Sequence, residues 1–258
     1  MSAPLIFITG ASSGIGQALA ARYAKAGWRL ALAARRVGEI ENWAKAQGLG
    51  AERCLAYPAD VQQIDSIVGA GQRCTQQQGV PDVVIANAGI SIGIDSEIRE
   101  DLNVLADTLA INNVGLAATF HPFLAAMRQR GSGTLVGVAS VAAIRGLPGH
   151  GAYCASKAAV VAYCESLRGE CRGSGVKVVT ILPGYVATPL TAGNTYGMPF
   201  MLQADDFAER AFRTIEAGTS YRVIPWQMGV VAKLMRLLPN VLFDKVLAGR
   251  GRKKRRGE

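Results

Sequence analysis

Tyr153 and Lys157 stand four residues apart in Tyr153-Cys154-Ala155-Ser156-Lys157, a spacing that puts a phenol and an ammonium on one face of a helix. A free phenol ionises at about 10, and a fixed cation beside it stabilises the phenolate, so such a pair can exchange a proton with a bound oxygen nearer neutrality. The same spacing arises by chance on solvated helices, so the surrounding sequence decides whether it carries chemistry. His121 and His150 lie far apart and match no carboxylate pattern, which argues against a metal site and against a histidine-based triad.

The elements that must position the pair begin at the amino terminus. Leu5 to Thr9 is a short apolar, β-rich run ending at Gly10, and a helical pattern opens from Gly14 through Ile15, Leu19, Tyr23 and Ala26. Between them lies Thr9-Gly10-Ala11-Ser12-Ser13-Gly14-Ile15-Gly16, where glycines permit positive φ and let a pyrophosphate approach the N–H groups at a helix start. A second strand, Arg29 to Ala34, runs into Arg35-Arg36. A carboxylate there would accept from a ribose 2′-hydroxyl, whereas a guanidinium pairs with a 2′-phosphate, so the arginines favour NADP(H) over NAD(H), with no carboxylate nearby to compete. Asp60-Val61 follows a third strand (Arg53 to Ala56), and Asn87-Ala88-Gly89 follows a fourth (Asp82 to Ala86). Both are strand-end loops, where ligands of open α/β sheets gather.

The glycine spacing Thr-Gly-x-x-x-Gly-x-Gly, together with Asp60-Val61, Asn87-Ala88-Gly89 and the Tyr153/Lys157 pair, resembles the short-chain dehydrogenase/reductase family over most of the chain. The resemblance implies a Rossmann-like, doubly wound parallel sheet of about seven strands in the order 3-2-1-4-5-6-7, with helices on both faces in three layers. It also implies a catalytic set of Asn112, Ser140, Tyr153 and Lys157. Asn112 is preferred to Asn113 because the family's asparagine stands three residues before a glycine, here Gly115. Ser140 ends the apolar run Thr134 to Ala139. By similarity, Ser140 bonds the substrate oxygen and Tyr153 exchanges the proton. Lys157 holds the nicotinamide ribose and depresses the tyrosine pKa, and Asn112 holds a water linking Lys157 to solvent. After a sixth strand (Lys177 to Leu182), Pro183-Gly184-Tyr185-Val186-Ala187-Thr188 resembles the family's Pro-Gly-x-Val-x-Thr, with Val186 and Thr188 binding the carboxamide. A homodimer or homotetramer is implied as well.

At 258 residues and 50% hydrophobic content, the chain fits a single dinucleotide-binding catalytic domain, residues 1–258, without repeats or low-complexity linkers. Met1-Ser2-Ala3-Pro4 runs straight into the first strand, so a cytoplasmic protein is expected. Five scattered cysteines lack Cys-x-x-Cys spacing and read as reduced structural thiols, Cys154 included. Of the net charge of +9, Arg250, Arg252, Lys253, Lys254, Arg255 and Arg256 against Glu258 place +5 in the last nine residues. That run reads as a solvated, disordered tail without the aromatic or groove-reading motif of a nucleic-acid binder. Before it, Val230, Leu234, Leu237, Leu238 and Val241 form an apolar stripe, opposite Gly229, Lys233, Arg236 and Asn240, and Pro239 should start a second short helix. The extension 226–258 thus suits a pocket cover, a subunit contact or a membrane-surface anchor. A substrate loop at about 189–204, with Met198, Phe200, Met201 and Leu202, points to an apolar substrate. The expected activity is hydride transfer between NADP(H) and a carbonyl or alcohol. The alternatives are a non-catalytic NADP(H)-sensing scaffold and a membrane-surface-associated reductase of lipid-like substrates.

Overall fold

Short apolar runs alternate with helices along the chain, and each run that is buried on both faces becomes a parallel strand. The computed structural model describes residues 3–194, 196–249 and 251–257. Met1, Ser2, Thr195, Arg250 and Glu258, which figure in the readings of the amino terminus, the substrate loop and the basic tail, lie outside the described residues. Seven parallel strands, β1 (Leu5–Thr9), β2 (Arg29–Ala34), β3 (Cys54–Pro58), β4 (Val83–Ala86), β5 (Gly133–Val138), β6 (Val176–Pro183) and β7 (Tyr221–Ile224), form one sheet. Their order is β3-β2-β1-β4-β5-β6-β7, as expected. Side chains alternate across each strand: Leu5 and Phe7 enter one core with Phe120 and Phe123, while Ile6 and Ile8 enter the other with Tyr23 and Phe207.

Three crossover helices, α1 (Gly14–Lys25), α2 (Val37–Ala46) and α3 (Ile64–Gln78), serve the first four strands. Next come α4 (Asp101–Leu109), a π-turn at Ala110–Val114, and α5 (Gly115–Arg130). The whole run Asp101–Arg130 is long and apolar enough to cross a bilayer, yet Leu116, Phe120, Phe123 and Met127 are buried in the core. The remaining helices are α6 (Gly151–Glu170), α7 (Pro189–Ala192), α8 (Ala204–Glu216), α9 (Trp226–Leu237) and α10 (Asn240–Leu247). Pro239 occupies the N-cap of α10, where its missing N–H costs nothing.

In the carboxy-terminal region the apolar stripe takes a definite side, and the reading of a disordered tail is corrected. The stripe Val230, Leu234, Leu237 and Val241 faces outward, with Leu237 80% exposed, and the buried side of α9 holds Met228 and Gly229, the latter packed on Val223. Apolar residues cover more than half of this helix, so sequence periodicity could not say which half turns inward. Nor is the basic tail free. Gly93 N–H donates to Lys254 O at 2.8 Å, and Arg255 grips the buried Asp101 through two bonds of 2.7 and 3.2 Å. Arg256 meets Asp107 at 3.0 Å and Arg252 meets Asp95 at 3.5 Å. Three aspartates spaced along and just before α4 thus each receive one arginine, a match that the tail alone does not announce.

Candidate active site

The loops at the carboxyl ends of the central strands enclose a cleft of about 530 Å³. Gly10 and Gly14 stand at φ 68° and 56°, in the left-handed region that favours glycine. A Cβ at Gly16 would overlap the Gly10 carbonyl and lie 2.7 Å from Asn87 Nδ2, so Gly16 shapes the loop from behind and does not line the cleft. Ser13 is the N-cap of α1 but makes no side-chain capping bond, and the first turn carries no acid, which leaves this helix start suited to an anion. Asn87 fastens the fourth-strand loop to the first: its Nδ2 donates to Thr9 O at 3.0 Å and its N–H to Thr9 Oγ1 at 3.1 Å.

Ser12, Ser13, Ile15, Ala88 and Gly89 line the cleft, as do Arg35, Arg36, Asp60, Val61, Asn87, Pro183, Gly184, Val186 and Thr188. The expectation that no carboxylate approaches the arginines is corrected: Arg36 reaches Glu39 at 3.2 Å as well as Ser12 Oγ at 3.4 Å. Glu39 lies one helical turn beyond Arg36, a neighbour that strand-end reasoning passed over. Both side chains are largely exposed, so the ion pair is weak and Arg36 can exchange it for another anion.

The first turn of α6 carries Tyr153 into the cleft, with Lys157 one turn on and its Nζ 5.8 Å from the Tyr153 ring centroid. Lys157 is buried, and its Nζ donates to Val138 O at 2.9 Å, which ties α6 to the end of β5. Ser140 caps the 3₁₀ turn Val141–Ala143, its Oγ accepting from Ala142 N–H at 3.2 Å, and its hydroxyl also pairs with Tyr153. The electrostatics differ from the sequence expectation. Burial pushes the Tyr153 phenol above its usual value, only partly offset by the Ser140 hydrogen bond, and burial lowers Lys157 to about 8. Desolvation therefore sets the direction of the phenol's shift.

Asn112 lies close to this pair, beside Gly89. It is buried in the π-turn and does not line the cleft. Its Nδ2 donates to Ile90 O at 3.1 Å and Ser156 Oγ at 2.9 Å, and its Oδ1 accepts from Ile90 N–H at 2.9 Å. Both amide hydrogens are thus committed to clasping the fourth-strand loop against α6. Asn113 makes a parallel clasp, donating to Ser156 O at 2.8 Å.

A second cavity of about 810 Å³ shares Ser140, Tyr153, Gly184, Leu190 and Thr191 with the cleft. Met198, Met228, Val231, Met235 and Leu247 supply apolar wall. Of the substrate-loop residues singled out above, Phe200 and Met201 are exposed, and Leu202 bridges to Val186 and packs on the core. His150 lines this cavity, with Nδ1 3.1 Å from Pro148 O and Nε2 3.2 Å from the hydroxyl of Tyr196. Tyr196, raised to about 12 by burial, was missed in the sequence although it sits inside the expected loop. Arg145 and Lys253 were missed as lining residues too, and only three-dimensional proximity reveals them. Cys154 is buried with its thiol pushed up by burial, the behaviour of a filler. Among the described residues no group of three His, Cys, Asp or Glu side chains could hold a metal ion.

Residues 4–197 match the family model of the short chain dehydrogenases. The chain is 38% identical to an uncharacterized oxidoreductase of Myxococcus xanthus, over 95% of this chain and 96% of that one. Among solved structures it is similar to an alcohol dehydrogenase from Thermococcus sibiricus complexed with 5-hydroxy-NADP, with 27% identity and a TM-score of 0.74 over 86% of this chain and 96% of that one. It is also similar to a 3-ketoacyl-(acyl-carrier-protein) reductase from Brucella melitensis complexed with NADH, with 26% identity and a TM-score of 0.76 over 85% and 94% of the two chains.

Proposed function

The chain belongs to the short-chain dehydrogenase family, and from that premise we propose that it is an NADP(H)-dependent oxidoreductase interconverting a carbonyl and an alcohol on an apolar substrate. An oxidoreductase of this family type is what its relatives establish. The observation that carries the finer reading is the placement of Ser140 and Tyr153, which line both the strand-end cleft and the apolar cavity. A group held in the cleft and a substrate held in the cavity therefore meet at these two hydroxyls.

The cleft fits a nicotinamide dinucleotide on the protein's own features: a glycine cradle that side chains would fill, an uncapped helix start and two arginines beyond β2. Gly10 to Ile15 would hold the pyrophosphate, Arg35 and Arg36 the adenosine phosphate, and Val186 and Thr188 the carboxamide. The bound cofactor supplies or accepts the hydride. Tyr153, held protonated by burial, gives its hydroxyl proton to the substrate oxygen as negative charge develops there, and Ser140 donates a second hydrogen bond to the same oxygen. The Lys157 ammonium then stabilises the resulting phenolate, and Asn112 holds α6 in register through Ser156.

The test is consumption of NADPH over a graded series of apolar aldehydes and ketones, followed by absorbance; no turnover with any of them removes the reading. Replacing both Arg35 and Arg36 by alanine is expected to weaken NADPH binding by about 10- to 100-fold with NADH little changed, the size of a lost charge-assisted bond to a phosphate. Equal losses for the two cofactors in a titration would refute the 2′-phosphate assignment. A second reading, catalysis against an anionic membrane surface, is favoured by the outward stripe of α9 and α10 beside Lys233, Arg236 and Lys245. It requires the full chain to co-sediment with anionic vesicles and not with neutral ones.

A further inference from the structure

Deepening the reductase reading, on which its catalytic half rests, we propose that the substrate carries a carboxylate that pairs with Lys253 in the apolar cavity. Among the described residues lining that cavity are two cations, Arg145 and Lys253, and no aspartate or glutamate. A cavity with apolar walls and uncompensated positive charge selects an anion, because the anion removes the cost of keeping a half-buried cation unpaired.

The two cations differ in what they have left to give. Arg145 is occupied in closing the end of α9: its guanidinium donates to the carbonyls of Met235 and Leu238 and to Asn240 Oδ1, and it lies 3.6 Å over the Phe243 ring. Lys253 Nζ has only neutral acceptors, Leu190 O at 3.1 Å and Asn194 Oδ1 at 2.6 Å. An ammonium has three donors, so one remains, and no carboxylate lies within ion-pair range of it among the described residues. The contrast with its neighbours is direct, since Arg252, Arg255 and Arg256 each meet an aspartate. Burial without a counter-ion already lowers the pKa of Lys253, as expected for a charge kept ready for a partner.

Lys253 is also held in place before any ligand arrives. The Arg252–Asp95 pair before it, and the Gly93–Lys254 main-chain bond and Arg255–Asp101 pair after it, anchor the tail on both sides of Lys253, and the bonds to Leu190 and Asn194 fix the ammonium against the substrate loop. Little ordering cost is left for the ligand to meet. A single remaining donor with one charge matches a carboxylate better than a phosphate dianion, which needs several donors at once.

The experiment compares octanoate with octanamide, which share length and shape but differ in charge, by calorimetry on the NADPH-saturated full chain. Octanoate is expected to bind at least about tenfold more tightly. Lys253→Gln should abolish that preference and Lys253→Arg should keep it. The acid-to-amide ratio is the deciding readout, since a loop loosened by loss of the Asn194 bond weakens both ligands alike. Equal binding of the two by the parent protein, or an acid preference that survives Lys253→Gln, overturns the proposal. Neither probe has a reducible ketone or aldehyde, so this result is independent of hydride transfer. In a parallel assay, 7-oxooctanoate should show at least about tenfold higher kcat/KM than 7-oxooctanamide. A retained octanoate preference without turnover of either ketone would remove the reductase reading and leave the anion site standing.

Discussion

Tyr153→Phe is expected to lower kcat for carbonyl reduction by about 10²- to 10⁴-fold, roughly 3 to 5 kcal/mol of barrier, while NADPH binding stays near that of the parent. The substitution removes one hydroxyl from a buried ring and leaves the ring's packing in place. Two groups lose by it: the substrate oxygen loses its proton donor, and Ser140 loses the phenol it pairs with. The Ser140 cap on the Ala142 N–H is untouched, so the strand-end loop should keep its form. Single-turnover absorbance of NADPH gives the rate, and quenching of protein fluorescence gives the binding constant. Unchanged turnover would mean that another group protonates the product. A parallel loss of NADPH binding would mean that the phenol's main part is to shape the cleft.

The second large effect is a pH dependence set by Lys157. Its pKa is lowered to about 8, so the ammonium is about nine-tenths charged at pH 7 and about one-tenth at pH 9. Tyr153 is shifted the other way and stays protonated through this range. Reduction requires both the protonated phenol and the charged amine. The sign is therefore fixed: kcat/KM for carbonyl reduction should be level below about pH 7 and fall as pH rises through about 8. Lys157→Met is expected to lower kcat by about 10²-fold or more and to abolish this fall, leaving a flat profile. Removing a buried charge relieves desolvation while costing the bond to Val138 O, so the melting temperature should move by only about 3 °C. A profile that keeps its fall near 8 in Lys157→Met would assign the titration to a different group.

The strand-end chemistry was readable because buried parallel strands leave continuous apolar runs in the sequence. Leu5–Thr9 is bounded by Pro4 and Gly10, Arg29–Ala34 runs into Arg35, and the bounds of both agree with the structure. Edges were less legible where a run continues into a turn: β3 starts one residue later than expected and extends to Pro58, and β5 begins at Gly133 and stops at Val138. The inward side of α9 was not legible at all, since both of its sides are apolar and only packing on β7 breaks the tie. The tail's fastening depends on Asp95, Asp101 and Asp107, more than a hundred residues upstream, and no local pattern links those positions to Arg252, Arg255 and Arg256. The direction of the Tyr153 shift was misjudged for a related reason. A helical spacing reports the neighbouring charge but not the depth of burial, and at this position depth sets the direction.

The stretch matched by the family model stops at residue 197, whereas Met198, Met228, Val231, Met235, Leu247 and Lys253 of the apolar wall all follow it. The cleft, by contrast, is built wholly from positions up to Thr191. The family model thus spans the whole of the strand-end cleft, whereas the wall of the second cavity draws also on the last quarter of the chain, beyond that model. Two proteins with the same front portion can consequently run one type of redox step on quite different molecules, and kinship across that portion transmits the kind of reaction without its clientele.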